Sequence, residues 1–212
     1  MRLRTIVDLQ SLLDTERAWR LKEIADLKFT VRGSEVIRRE TLIRAGIALL
    51  YAHWEGFTKN AIGAYIDFVN EQNHRYEELA TCFIVLGAKR KLSDLTEANT
   101  SKANVEAIEF IRAQLSKKAQ LPKGSTVNAK SNLNSIVFAN LMSTVGLSPK
   151  DYLTRSNLID SELLKKRNAI AHGNYVDLNA TSFPRLADDV LRLINDVKTD
   201  IENAALLKKY KR

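Results

Sequence analysis

Arg167, Asn168, His172 and Gly173 place a guanidinium, a carboxamide, an imidazole and a glycine within seven positions, at the end of the run Leu163-Leu164-Lys165-Lys166-Arg167-Asn168-Ala169-Ile170-Ala171-His172-Gly173. An arginine fork binds two phosphoryl oxygens at once, and a histidine, with a reference pKa near ~6.5, takes or gives a proton near neutral pH. Such a pair suits metal-free chemistry on RNA, which carries its own nucleophile in the 2′-hydroxyl. Cleavage would leave a 2′,3′-cyclic phosphate and a 5′-hydroxyl. In this reading His172 is the general base or acid, Arg167 the phosphate clamp, and Asn168 an orienting or phosphate-contacting amide.

Those residues need a helix that ends in the right place. Leu158, Ile159, Leu163 and Ile170 recur near the spacing of one helical face, which puts Arg167 close to the buried seam. Gly173 is then the residue just past the helix end, where a left-handed backbone is easiest without a Cβ. Five positions at ~100° each leave Arg167 and His172 roughly 140° apart on an ideal helix. They share a substrate only if the helix stops there or a second copy brings its own pair alongside. The alternatives are plain structural roles: His172 as a cation capping a helix C-terminus, and Arg167 as a buried partner of Glu55 or Asp160.

A second polar group, His53, Glu55 and Lys59, sits on the longest apolar helix. Glu55 and Lys59 have the acid-first, four-apart spacing of a surface ion pair. The other reading has Glu55 or His53 facing the Arg167 and His172 pair and fixing one of them.

The segment Arg167-Asn168-Ala169-Ile170-Ala171-His172 resembles the R-x4-6-H signature of the HEPN superfamily, with a polar residue directly after the arginine. Ala18-Trp19-Arg20-Leu21-Lys22-Glu23-Ile24 and Leu50-Tyr51-Ala52-His53-Trp54-Glu55-Gly56-Phe57-Thr58-Lys59 look like segments of one bacterial HEPN branch of presumed RNases, as does Asn132-Leu133-Asn134-Ser135. The resemblance covers the chain from about residue 8 onward. It implies an all-α bundle of long antiparallel helices and a two-fold dimer in which two such segments form one cleft. It also implies a metal-independent endoribonuclease of a toxin–antitoxin or phage-defence system, restrained by a partner protein. Some members carry a modifiable tyrosine in H-x-Y. Here the order is His172-Gly173-Asn174-Tyr175, one residue late, so Asn174 and Tyr175 are expected only to line the site. A non-catalytic RNA- or nucleotide-binding module, or a dimeric interaction module, is the other reading that the resemblance allows.

The chain has 212 residues, of which 45% are hydrophobic, enough for one domain over 1–212 with a sizeable core. Cys82 is the only cysteine and there are three histidines, so neither a disulfide nor a metal site is expected, and no cofactor. No membrane span or signal segment is visible, and a cytoplasmic protein is expected. P-loop, dinucleotide-binding, zinc-protease and serine-hydrolase motifs are absent. The net charge is +8 and no acid falls between Glu109 and Asp151. Lys117, Lys118, Lys123 and Lys130 in that gap form the expected RNA-contacting surface; a solvated basic face is the alternative.

Periodicity predicts a helix over Thr5–Phe29 with Trp19 in the core, a break with Ser34 as a cap, and a long helix over Glu35–Asn73 that would bend at Gly46, Gly56 or Gly63. A short helix through Cys82 and Leu86 should end near Gly87, with a loop over Leu92–Asn104. A helix with Val105, Ile108, Ile111 and Leu115 on one stripe follows to Leu115. Residues 116–131 read as a mobile basic linker. Asn132–Val145, the Arg167 helix and Ser182–Leu207, with Pro184 in its first turn, complete the helices, and 208–212 form a basic tail.

Overall fold

The computed structural model describes residues 2–97, 101–124, 132–176 and 182–212. Seven α-helices run through them: α1 (Ile6–Gly33), α2 (Val36–Glu71), α3 (Thr81–Glu97), α4 (Ser101–Gln114), α5 (Ser135–Thr144), α6 (Lys166–Ala171) and α7 (Phe183–Leu206). Among the described residues pairing is limited to two isolated bridges, Arg75 with Lys118 and Leu79 with Lys211, so the all-α class holds. No helix among them is long and apolar enough to cross a membrane.

The frame is a bundle of α1, α2 and α7, each packed against the other two. Thr5 opens α1 with a reciprocal capping box: its hydroxyl accepts from the Asp8 N–H, and the Asp8 carboxylate accepts from the Thr5 N–H. The longest element is α2, and its Leu50, Trp54, Phe57, Ile62 and Ile66 are fully buried. Along α7, Val190, Leu193, Ile194, Val197 and Ile201 face inward at three- and four-residue spacing, as the periodicity predicts. Each such side chain contributes ~1.5–3 kcal/mol when fully buried, which is what holds α7 in the bundle.

Glycines account for several differences from the sequence reading. The long α2 is one continuous helix through Gly46, Gly56 and Gly63, and each of these serves as space for a neighbour. A Cβ on Gly46 would lie 2.7 Å from the Phe183 ring, one on Gly56 would press on the Arg20 guanidinium, and Gly63 meets the backbone of Gly124. Gly87 likewise lets the Tyr76 ring approach, and α3 runs past it to Glu97. Most of the stretch expected as a loop over Leu92–Asn104 is therefore helical.

Other expectations are corrected. Trp19 is 46% exposed, because its ring covers the buried Arg20 instead of entering the core. Ser34 ends α1, its hydroxyl donating to the Val31 carbonyl, and α2 begins after Glu35 with no side-chain cap. On α4, Val105 and Ile108 are about half exposed, while Leu115, just past its end, packs against the core. The segment read as a mobile linker is pinned as far as Gly124: Ala119 and Leu121 are buried, the Leu121 N–H donates to Asn70, and the Gly124 N–H donates to Asp67. Lys130 and the rest of 125–131 lie outside the described residues. The C-terminal segment is also tied down, with Tyr210 buried against Phe68 and its carbonyl accepting from the Ala80 N–H.

Candidate functional site

Arg167 stands in the first turn of α6, a six-residue helix that continues directly from a π-helical segment, Leu158–Lys165. Wide π turns of this kind re-aim the side chains that follow and recur at functional sites. Ile159 and Leu163 anchor the segment in the core. Asp160 accepts from both the N–H and the hydroxyl of Ser135, tying it to the start of α5.

The Arg167 guanidinium lies over the Tyr51 ring of α2, 4.1 Å from its centre, and its Nη2 donates to Asn132 Oδ1 at 2.7 Å. Its Nε is buried without a partner. Among the described residues no carboxylate pairs with it, so the buried ion pair with Glu55 or Asp160 is not formed. The Tyr51 hydroxyl accepts from the Leu133 N–H at 2.7 Å. Burial pushes the Tyr51 phenol above its ordinary pKa, with the Glu55 carboxylate adding to the rise, while Arg167 and the Leu133 N–H oppose it. Tyr51 therefore stays neutral, a π face for the cation and an acceptor for the loop. Asn134 then caps α5, accepting from the Val137 N–H. The four residues Asn132 to Ser135 thus fasten Arg167, Tyr51, α5 and the π segment to one another.

At the other end of α6, His172 is the C-cap and is exposed. Gly173 adopts φ +73°, the left-handed conformation that the sequence required of it. The Gly173 N–H donates to the Ile170 carbonyl and the Asn174 N–H to the Ala169 carbonyl, which is the Schellman pattern. The helix therefore stops at His172, with the imidazole at its open end. Arg44 of α2 donates to the Asn174 carbonyl and holds the following turn. Asn168 is half-buried on α6 and its carbonyl accepts from the His172 N–H. Tyr175 is 86% exposed beside this turn.

The other sequence candidates divide. Tyr51 and His53 are two apart on α2 and so face opposite ways. His53 points to α1, its Nε2 2.9 Å from Glu23 Oε2 and its ring edge-on to Trp19, away from Arg167. Burial lowers its pKa, against the raising effect of Glu23, and Arg20 lowers it further. Glu55 lies one turn from Tyr51 and pairs with Lys59 at 2.9 Å, the surface-pair alternative. Lys117, Lys118 and Lys123 are exposed on the strap that crosses α2 at Gly63. Gly63 is twelve positions beyond Tyr51, roughly 18 Å along the helix, so within one chain this basic surface is not beside Arg167. Tyr51 and Asn132 had no assigned role in the sequence reading, although both sit in the segments that carry the resemblance.

What fold and site define together is the class: an all-helical HEPN-type domain with an arginine and a histidine at a short helix end. The family model described as HEPN_MAE_28990-like HEPN matches residues 9–210, and the chain belongs to that HEPN family. No curated protein and no solved structure matches it.

Proposed function

We propose that this protein is a metal-independent endoribonuclease. The carrying observation is the Arg167 guanidinium, held by the Tyr51 ring and Asn132 at the base of the helix that ends at the exposed His172. A guanidinium carries five N–H donors and Asn132 takes one, so donors remain for a phosphoryl oxygen. In the reaction an imidazole removes the 2′-hydroxyl proton as the 2′-oxygen bonds to phosphorus. The bond from phosphorus to the 5′-oxygen breaks, and that oxygen receives a proton. Arg167 stabilises the charge that builds on the phosphoryl oxygens. Asn168 orients or contacts the phosphate, and Tyr175 and Asn174 line the approach.

The 140° between Arg167 and His172 favours a homodimer in which each copy supplies both residues to one cleft. HEPN membership supports the further reading of a cytoplasmic toxin of a toxin–antitoxin or phage-defence system, held in check by a partner protein. The test is cleavage of labelled RNA in EDTA by wild type, Arg167→Ala and His172→Ala, with the product ends identified. Cyclic-phosphate ends with wild type and none with either variant are expected. Folded, dimeric wild type that cuts nothing would favour a non-catalytic RNA-binding module.

A further inference from the structure

An open cleft of about 480 Å³ lies between the start of α7 and the 3₁₀ and π segment that leads into α6. Its walls carry Arg155, Arg185 and Arg192, with Thr154, Asn157 and Ser182 beside them. Two of the three arginines are braced on the protein by one nitrogen, and the third stands near the same carboxylate as one of them. Arg155 Nη1 bonds Asp196, Arg192 Nη1 lies 3.1 Å from one oxygen of Asp189, and Arg185 Nε lies 4.0 Å from the other. Asp189 therefore serves two arginines and leaves one positive charge in excess, while the cleft's other carboxylate, Glu162, is taken by Lys166 at 2.6 Å. A guanidinium steadied through one N–H keeps its remaining donors for an anion, which is how a bidentate phosphate contact is prepared.

The arrangement says which anion. Arg185 and Arg192 flank Asp189 on one face of α7, and Arg155 stands on the facing segment. A cleft of this volume with guanidinium groups on both walls has room for more than one phosphate, as the successive phosphates of a strand require. Leu158 and Leu186 supply apolar surface between the polar groups. We infer that this cleft binds the backbone of a single-stranded polynucleotide, with Arg185 and Arg192 holding phosphate on one wall and Arg155 on the other. It is separate from the Arg167 site, one to two turns upstream on the same continuous helix, and adds to the nuclease reading a place where the strand is held.

The test uses a labelled 2′-O-methyl oligonucleotide, which binds as RNA does but lacks the nucleophile, so its result does not depend on whether the protein is a nuclease. Binding to the full chain is followed by fluorescence anisotropy across a salt series. Arg185→Ala with Arg192→Ala is expected to weaken binding about tenfold or more at low salt and to flatten the dependence of log K on log salt by about one to two, one for each phosphate that is no longer held. Both side chains are largely exposed, so the melting temperature should hold. Unchanged affinity and slope in the arginine variant would overturn the inference. So would a nucleoside monophosphate that displaces the oligonucleotide at equal phosphate concentration, since the site would then be built for a single phosphate.

Discussion

At the scale of single residues, Arg167 is positioned by groups far from it in sequence. A cation over an aromatic face and a 2.7 Å bond to a carboxamide fix the plane of the guanidinium, and a phosphate clamp works only if that plane is fixed. Tyr51→Leu and Asn132→Ala should each lower the rate of RNA cleavage by about ten- to a hundredfold, the scale of an ångström's misplacement, with RNA affinity less affected. Tyr51→Phe keeps the ring, so it should keep most of the rate while losing ~1–3 kcal/mol of stability through the unpaired Leu133 N–H. Equal activity of Tyr51→Leu and wild type would remove Tyr51 from the site. His53 makes a different prediction. Burial depresses its pKa, so the native state holds it neutral while the unfolded chain takes a proton as pH falls below about 6.5. Its contribution is therefore fully present above that pH and is lost on the way down to the depressed native value. Asp8, held low chiefly by the Thr5 N–H, loses its own contribution only further down, in the carboxylate range. Melting curves between pH 8 and 5 should show a drop for wild type that His53→Gln lacks; parallel drops would mean that the imidazole is not held neutral. The sequence made Arg167 and His172 visible because they are close along the chain. Tyr51, Asn132 and the side to which His53 turns depend on packing between helices, and no local spacing encodes that.

At the scale of elements, periodicity and glycine behaved differently as signals. The apolar faces of α2 and α7 repeat often enough to read directly, and α7 falls within a residue of its expected limits. A glycine in a helix is ambiguous, since it can end the helix or make room for a neighbour. Gly173 ends one, with φ +73° and nothing near a Cβ, whereas Gly63 and Gly87 make room within continuous helices. Alanine distinguishes the two uses. Gly63→Ala sets a methyl 3.0 Å from the Gly124 backbone and should cost about 1–3 kcal/mol by overpacking. Gly33→Ala, at the end of α1 with no atom near, should be neutral or stabilise by ~0.5–1 kcal/mol through propensity. Chemical denaturation of the two variants measures this, and a neutral Gly63→Ala would show that the strap is not seated on α2.

At the scale of the whole molecule, both ends of the chain and the segment around Ala119 close onto the helical bundle, although composition marked the basic stretches as loose. Tyr210 and Leu121 are single apolar anchors inside polar surroundings, too sparse for a periodic signal yet enough to seat each segment. The short α6 packs on α2, with Arg167 partly covered and His172 in solvent. Helical spacing sets the two side chains roughly 140° apart, and the proposed reaction, which uses both near one phosphate, therefore draws on the proposed second copy. Activity should then depend on association. Cleavage per mole of chain should fall on dilution, with a midpoint at the dimer dissociation constant from sedimentation, while wild type and His172→Ala should dimerise alike because an exposed cap residue adds little to the interface. Undiminished activity per chain in a monomeric solution would place the whole site within one copy and would require α6 to turn, so that Arg167 leaves Tyr51 to meet His172.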